Sequence, residues 1–213
     1  TEAEIAGSWN RRLAGIESGL VAYYPMEEGA GTTTADGSSH GNSGALVNGV
    51  LWNSVEDAVA PVARTGPAAF VTGTSALLNG WVNTNGVPAT NYFEWWSGGT
   101  TNETSRETVA GSNSVLNLDG FDDHVVVPPG TWFSNDFTIE TWVYARSSNN
   151  WSRVLDFGNG APSDNVLLAF SSGTTCQPCL TVCQGTSQQA ITATHPIPLN
   201  QWVHLAATLK SGT

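Results

Sequence analysis

The chain has 213 residues, of which 40% are hydrophobic and only 12% charged, and its 18 acidic and 7 basic residues give a net charge of −11. This length suits one large domain or one domain with a small satellite. An acidic chain repels phosphate backbones and anionic membrane surfaces, so we expect no nucleic-acid partner and no membrane insertion. Calcium and neutral glycans remain compatible with this charge.

The first predicted element is a helix over residues 3–13, which Gly15 ends. Its apolar residues follow an i, i+3, i+4 stripe: Ala3, Ile5, Ala6, Trp9 and Leu13. No segment has the apolar region of a signal peptide or the length of a membrane span. We therefore expect any secretion signal to lie upstream, with Thr1 and Thr213 as cuts through a longer chain.

The next predicted elements are short strands separated by polar loops. Residues 20–26 read as an apolar strand that Pro25 interrupts, and Ala45–Val47 as a short strand among Gly-rich and Asp-rich loops. Asn85-Gly86 is typical of a hairpin turn, with residues 91–96 as the returning strand.

From residue 114 onward, short apolar segments recur between Gly, Pro, Asn and Ser, a spacing that predicts an antiparallel sandwich or jelly roll. The segment at residues 136–145 alternates along its length. One face carries Phe137, Ile139, Thr141 and Val143, and the other carries Thr138, Glu140, Trp142 and Tyr144. The segments are SVLNLDG, HVVVP, DFTIETWVYA, SRVLDFG, NVLLAFSS, CLTVCQG, QAITAT and QWVHLAATL.

Three stretches resemble the laminin-G-like family of concanavalin A-like jelly rolls. Residues 19–49 are similar to its strand-and-loop signature, and residues 116–128, LNLDGFDDHVVVP, to its strand–turn–strand hallmark. Residues 136–160 and 198–209 carry the strings FTIETWV and QWVHLAAT. The resemblance implies an all-β, two-sheet antiparallel jelly-roll sandwich with a short N-terminal helix and an inserted β-hairpin segment.

Residues 61–96 instead resemble the first half of a fibronectin type III-like repeat, and residues 3–15 resemble the tail that closes a laminin-G-like domain. These resemblances imply a fragment of a tandem-repeat surface protein that is out of phase with its domain boundaries. We expect residues 1–18 to be the tail of a preceding module and residues 19–56 a laminin-G-like strand and loop. Residues 57–112 then form the fibronectin-like fragment or a linker, and residues 113–213 a C-terminally truncated jelly roll. The missing strands would be supplied in trans or lie further along the chain.

Two acidic loops are candidates for a metal site. Asp36 and Asn42 lie in a Gly-rich loop with Glu28 as a further ligand, and oxygen donors of this kind suit calcium. The resemblance adds to this reading, because many laminin-G-like domains bind calcium. Asp122 and Asp123 form a second oxygen cluster in a turn. For both loops the alternative is turn chemistry, in which the side chains hydrogen-bond their own backbone.

Nine tryptophans are many for this length, and aromatic faces stack on sugars. We identify Trp142, Tyr144 and Glu140, which share one strand face, and Trp151, in a polar loop, as candidates for carbohydrate binding. For Trp142 and Trp202 the alternative is core packing, and for Trp151 core packing or a loop anchor.

The three cysteines, Cys176, Cys179 and Cys183, lie within eight residues. No second cluster completes a zinc site. The open readings are one local disulfide with one thiol left over, or buried free thiols.

No pair of alternating carboxylates and no nucleophile elbow is present, so we predict that the chain is not an enzyme. Two function classes remain. The first is a structural or adhesive repeat of a large extracellular or cell-surface protein, with other copies or neighbouring modules as partners. The second is a carbohydrate-binding module of a secreted polysaccharide-degrading enzyme, with glycans as ligands.

Overall fold

The structure is a computed structural model that describes residues 2–9, 12–54, 62–83, 89–97, 99–109, 114–133, 135–158 and 163–210. The described residues are mostly antiparallel β-strands with one short helix, which confirms the predicted all-β class. Two compact units form: residues 1–10 together with 131–213, and residues 11–130. The predicted domain boundaries stay a prediction. Within the described residues, no helix has the length and apolar character that crossing a membrane requires.

The first unit contains the helix and two sheets. Strands β12 and β17 pair with each other, and β13, β14, β15 and β16 pair in that order. Phe133 lies against Phe137 and Phe157, with ring centroids 4.7 and 5.2 Å apart, and so joins a strand of each sheet. The elements are α1 Glu2–Ser8, β12 Phe137–Tyr144, β13 Arg153–Gly158, β14 Asn165–Ala169, β15 Cys179–Gln184, β16 Ser187–Thr192 and β17 Trp202–Leu209.

The core of this unit lies around the two central strands of the larger sheet. Leu167, Leu168 and Ala169 are consecutive on β14, and all three are buried. Successive side chains of a strand point to opposite faces, so β14 is covered on both faces. Burial of each leucine stabilises the fold by about 1.5–3 kcal/mol. Leu205 supplies the buried position of β17.

The described residues of the second unit form a three-stranded sheet and four two-stranded ones. The three-stranded sheet has the order β1–β2–β11, and the pairs are β3–β10, β4–β5, β6–β9 and β7–β8. The strands are β1 Thr33–Thr34, β2 Gly44–Val47, β3 Leu51–Ser54, β4 Val62–Thr65, β5 Gly80–Asn83, β6 Ala89–Asn91, β7 Glu94–Ser97, β8 Thr100–Glu103, β9 Glu107–Val109, β10 Ser114–Asn117 and β11 His124–Val126. Gly44 is required in β2, because a Cβ there would lie 2.6 Å from Val125 Cγ1 and 3.0 Å from Thr34 Cγ2.

Every strand predicted after residue 114 is confirmed, whereas two earlier predictions are wrong. The predicted helix over residues 3–13 ends at Ser8. Residues 20–26 form no strand, because backbone groups of this segment hydrogen-bond to a loop and not to a neighbouring strand. The Tyr23 N–H donates to Asp36 Oδ1, and the Tyr23 carbonyl accepts the Gly37 N–H.

The inserted segment contains β-hairpins, as predicted, but with different partners. β5 pairs with β4, and β7, which holds Trp95 and Trp96, pairs with β8. In this pair Glu94 lies opposite Glu103 and Ser97 opposite Thr100. The predicted Asn85-Gly86 turn lies outside the described residues.

Of the two interpretations left open for the cysteines, the structure has the free thiols, at all three positions. Cys179 and Cys183 lie four residues apart on β15. That spacing separates their Cα atoms by about 13 Å in a strand, and a disulfide needs about 4.4–6.8 Å. Both thiols are buried, and Thr192 Oγ1 donates a hydrogen bond to Cys179 Sγ at 3.4 Å. The alternative reading of buried free thiols therefore describes Cys179 and Cys183, while Cys176 is half-buried.

Candidate functional site

The sheet formed by β12 and β17 has one core face and one open face. The core face carries Ile139 and Val143 of β12 with buried Leu205 of β17. Alternation along β12 places Glu140, Trp142 and Tyr144 on the opposite face, as the sequence predicted.

The register of the strand pair adds two residues to this open face. Trp202 lies opposite Tyr144, and His204 lies opposite Trp142. The Tyr144 and Trp202 rings meet nearly edge-on at 5.6 Å, and the Trp142 and His204 rings are 5.2 Å apart. Trp142 is 46% exposed, Tyr144 41% and Trp202 38%. Core packing therefore does not describe Trp142 and Trp202, although it was an open alternative for both.

Helix α1 brings a further tryptophan to this face. The Trp9 ring lies 6.1 Å from the Trp142 ring, and Trp142 Nε1 donates a hydrogen bond to the Trp9 carbonyl at 3.1 Å. Trp9 is 44% exposed, so it borders the surface without closing it. We define the aromatic face as Trp9, Trp142, Tyr144, Trp202 and His204.

Glu140 is tied to the helix more than to the open surface. The Ser8 hydroxyl lies 3.1 Å from Glu140 Oε1 and 3.0 Å from Oε2, and His204 Nε2 lies 3.5 Å from Oε2. A carboxylate held from two sides is a positioning group for Ser8 and His204. It remains at the edge of the aromatic face.

Trp151 lies in a different part of the same unit. The backbone N–H of Trp151 donates to the Gly173 carbonyl at 3.0 Å, and its φ of 56° places it in a turn after Asn149. The side chain is 40% exposed. Within the part of the chain that the structure describes, no ring contact joins Trp151 to the aromatic face, and its role in carbohydrate binding stays a prediction.

The Asp36 loop, in the second unit, is organised around one carboxylate. Asp36 Oδ1 accepts the N–H groups of Tyr23 at 2.9 Å and Ser38 at 2.8 Å, and Oδ2 accepts the Asn42 N–H at 2.8 Å and the Ser38 hydroxyl at 2.9 Å. Partial burial acts to raise the pKa of Asp36, but these donors outweigh it and hold the pKa below its ordinary value. The geometry favours the turn alternative for this loop.

The other proposed ligands of that loop also have partners in the chain. Glu28 Oε1 accepts the Ala35 N–H at 2.7 Å. The Asn42 side-chain amide donates to the Val21 carbonyl at 3.3 Å, and the Tyr24 hydroxyl donates to the Asn42 carbonyl. Burial, together with the nearby Asp36 charge, raises the pKa of Tyr24 to about 12.

The second acidic loop gathers its carboxylates at one point. One oxygen of each of Asp119, Asp122 and Asp123 lies within 4.8 Å of the others. As in the turn alternative, Asp119 Oδ1 accepts backbone N–H groups, those of Phe121 at 2.8 Å, Asp122 at 3.3 Å and Asp123 at 3.5 Å. The Phe121 bond is the largest cause of a pKa below the ordinary aspartate value. Asp123 Oδ2 accepts the Asp119 N–H at 3.0 Å. Asp119 was not among the predicted ligands, although the spacing Asp-x-x-Asp-Asp is visible in the sequence.

These carboxylates fit a calcium ion by distance and by chemistry. Calcium binds six to eight hard oxygens at 2.3–2.6 Å, so two of its ligands lie up to about 5 Å apart. The three carboxylates meet that limit. Asp119 and Asp122 are exposed and Asp123 is half-buried, which leaves room for water to complete a coordination shell.

Comparison with known proteins supports the fold. Residues 118–213, just under half of the chain, match the family model Laminin_G_3, described as the concanavalin A-like lectin/glucanases superfamily. No curated protein and no solved structure gives a significant match. The matched range contains the two sheets of the first unit and is consistent with a β-sandwich.

Proposed function

We propose that this chain, whose second half matches a family of lectin-like and glucanase-like domains, is a non-enzymatic, extracellular adhesive module that binds carbohydrate through its aromatic face. The observation that carries the proposal is the exposure of Trp142, Tyr144 and Trp202 together on one face of the β12–β17 sheet. Large aromatic side chains are usually buried, and a contiguous exposed group of them marks a binding surface. Other copies or neighbouring modules of a larger surface protein are its expected companions.

The chemistry of the face suits a neutral saccharide. Indole rings stack against the C–H faces of sugar rings, and a few placed polar groups fix the orientation of the sugar. His204, half-buried between the rings, supplies such a group. The net charge of −11 disfavours polyanionic glycans, so uncharged sugars are the expected ligand class.

The carboxylates support the prediction that the module is not an enzyme. Glycoside hydrolysis needs two, about 5–5.5 Å apart for retention and about 6.5–9.5 Å apart for inversion. Glu140 is the only carboxylate on β12 or β17. Its polar partners are Ser8 and His204, and no second carboxylate on these two strands stands beside it.

An array of neutral glycans tests the proposal, with Trp142→Ala and Trp202→Ala as binding-site variants. We expect each variant to weaken binding by about 2 kcal/mol, or about thirtyfold, as for a central aromatic anchor. The matched control is Trp96→Ala, which removes a 71% exposed tryptophan of β7 in the other unit. The proposal fails if the wild-type chain binds no glycan, or if all three variants bind alike.

We also propose that Asp119, Asp122 and Asp123 hold a calcium ion, the cofactor for which the sequence offered two loops. What supports the proposal is the convergence of three carboxylates, whose negative charges a bound cation would compensate. Calcium would supply that compensating charge and fix the turn between β10 and β11.

Isothermal titration of the chain with calcium chloride measures this binding directly. We expect Asp122→Asn with Asp123→Asn to abolish the binding heat, because two hard anionic ligands are lost. Glu94→Gln, a neutralisation of an exposed residue on β7, is the control and retains the heat. A wild-type chain without a saturable heat contradicts the proposal.

A further inference from the structure

The four exposed rings of the aromatic face do not lie in one plane. The ring planes of Trp9 and Trp142 are inclined to each other by 34°, and those of Tyr144 and Trp202 by 65°. Only one ring of each pair can therefore lie flat against a planar ligand. Whatever the angle between the two pairs, no more than two of these four rings share a plane.

All four side chains are nonetheless exposed to a similar extent, from 38% for Trp202 to 46% for Trp142. An aromatic ring stacks on a sugar when it lies parallel to the C–H face of that sugar. The surface of an ordered polysaccharide presents its sugar rings in one plane, so it would leave at least two of the four aromatic rings unstacked. A single glycan chain whose consecutive sugar rings turn presents faces of different inclination, as these aromatic rings do.

Helix α1 holds Trp9 at its angle to Trp142. The Trp9 carbonyl accepts a hydrogen bond from Trp142 Nε1 at 3.1 Å, and the Ser8 hydroxyl lies 3.1 and 3.0 Å from the two carboxylate oxygens of Glu140. A helix of seven residues is too short to be stable by itself, so its position depends on these contacts with β12. The Nε1–H group is the one polar donor of the Trp142 side chain, and since α1 takes it, Trp142 offers a ligand only its ring.

His204 supports the angle between the two indoles. Its ring lies 6.3 Å from the Trp9 ring and 5.2 Å from the Trp142 ring, at interplanar angles of 50° and 52°. His204 is half-buried, whereas both indoles are exposed. It therefore fills the space behind them, and the three rings form a corner that keeps the Trp9 and Trp142 faces from becoming coplanar.

We infer that the aromatic face binds a single neutral glycan chain whose consecutive sugar rings turn relative to one another, and that it rejects the flat surface of an ordered polysaccharide. The inference rests on the proposed function, since it names the class of glycan for the same face. Trp9 determines this specificity, because α1 adds its inclined ring to those of the strand pair. Ser8 and Glu140 are positioning residues that act through Trp9.

Two pairs of hexaoses test the specificity of the wild-type chain by isothermal titration. Maltohexaose and cellohexaose contain the same sugar, but the consecutive rings of maltohexaose turn, whereas those of cellohexaose form a flat ribbon. An α-linked and a β-linked mannohexaose make the same comparison with mannose. We expect the turned chain of at least one pair to bind about tenfold more tightly than its flat counterpart, which loses an aromatic anchor. Microcrystalline cellulose should retain no protein.

Substitutions in α1 test the part that Trp9 takes. Trp9→Ala should weaken binding of the turned chain by about tenfold and narrow its difference from the flat chain. Ser8→Ala frees α1 from Glu140 and should weaken binding about threefold, as for the loss of one hydrogen bond. Ser8→Thr keeps the hydroxyl and should restore wild-type binding. Trp96→Ala, which removes an exposed tryptophan of the other unit, is the matched control and should bind as the wild type does.

Equal affinity for the two members of each pair, a preference for a flat chain, or retention on cellulose overturns the inference. These outcomes are measured on the wild type, so they do not depend on the folding of a variant. Wild-type affinity in Trp9→Ala or in Ser8→Ala also overturns it, and the proposed function stands if Trp142→Ala still weakens binding. A chain that binds another glycan but none of the four hexaoses overturns the inference alone, and a chain that binds no glycan overturns both proposals.

Discussion

The two acidic loops of the second unit use the same residue type for opposite purposes. In the Asp36 loop one carboxylate accepts hydrogen bonds from three backbone N–H groups and one hydroxyl, which stabilise its negative charge within the chain. In the Asp119–Asp123 turn three carboxylates meet each other within 4.8 Å. Asp119 also accepts three backbone N–H groups, so the convergence of three carboxylates, and not the number of N–H donors, separates the candidate cation site from the Asp36 loop.

The largest expected effect comes from Asp36→Ala. The substitution leaves three partly buried N–H groups without their acceptor, so we expect the free energy of unfolding to fall by about 2–3 kcal/mol. Urea denaturation measures the change. Asp122→Asn, which removes a carboxylate from the other loop, is the comparison and should change stability much less. Equal losses of unfolding free energy in the two variants would contradict the proposed difference between the loops.

Calcium should stabilise the chain by a smaller amount. A ligand that binds only the folded state at ten times its Kd adds about 1.4 kcal/mol to the free energy of unfolding. We expect Tm to rise with calcium in the wild type and in Asp36→Asn, but not in Asp119→Asn with Asp123→Asn. Differential scanning calorimetry with calcium and with a chelator gives the comparison. Loss of the calcium effect in Asp36→Asn would contradict the proposal and place the ion in the Asp36 loop.

Lowering the pH should reduce the stabilising contribution of Asp36 more than that of Asp119. The pKa of Asp36 in the folded chain lies below its unfolded value of about 3.9. Its stabilising contribution is therefore complete above about pH 4 and is lost as the pH falls through the folded pKa. We expect the stability difference between the wild type and Asp36→Asn, measured by urea denaturation, to shrink on acidification below about pH 4.

Asp119 provides the contrast for that measurement. Its pKa is lowered too, mainly by the Phe121 N–H, but the side chain is exposed and its hydrogen bonds compete with water. Asp119→Asn should therefore change the acid dependence of unfolding less than Asp36→Asn does. The reverse order would show that exposure does not weaken these bonds as argued.

The smallest effect should follow from Glu28→Gln. The glutamate is exposed and accepts one backbone N–H, from Ala35, which the glutamine amide oxygen also accepts. We expect a change of less than about 0.5 kcal/mol in the free energy of unfolding and no change in calcium affinity. A loss of calcium binding in this variant would return Glu28 to the ligand set.

Part of the candidate site could be predicted from the sequence. Alternation along β12 placed Trp142, Tyr144 and Glu140 on one face, because the side-chain period of a strand is two. The sequence did not indicate which face was open, since both faces of that segment carry large side chains. It also missed Asp119, because a turn must bend before carboxylates at this spacing approach each other.

The failures of the sequence reading share one cause. Residues 20–26 have the composition of a strand, yet the loop around Asp36 satisfies their backbone groups first. The partner of residues 91–96 likewise depended on the folded chain, in which β7 pairs with β8. Local pattern predicts that a segment is extended, but its hydrogen-bond partner is a property of the folded chain.

By itself, the sequence determined the all-β class, the strands after residue 114 and the alternation that gathers aromatic groups on one face of β12. These follow from side-chain period and turn residues, which act over a few neighbours along the chain. Only the tertiary structure decided that Trp202 and Trp9 join that face and that Asp36 serves the backbone. Each of these depends on which distant segments meet, and the local pattern of a single strand does not specify its partner.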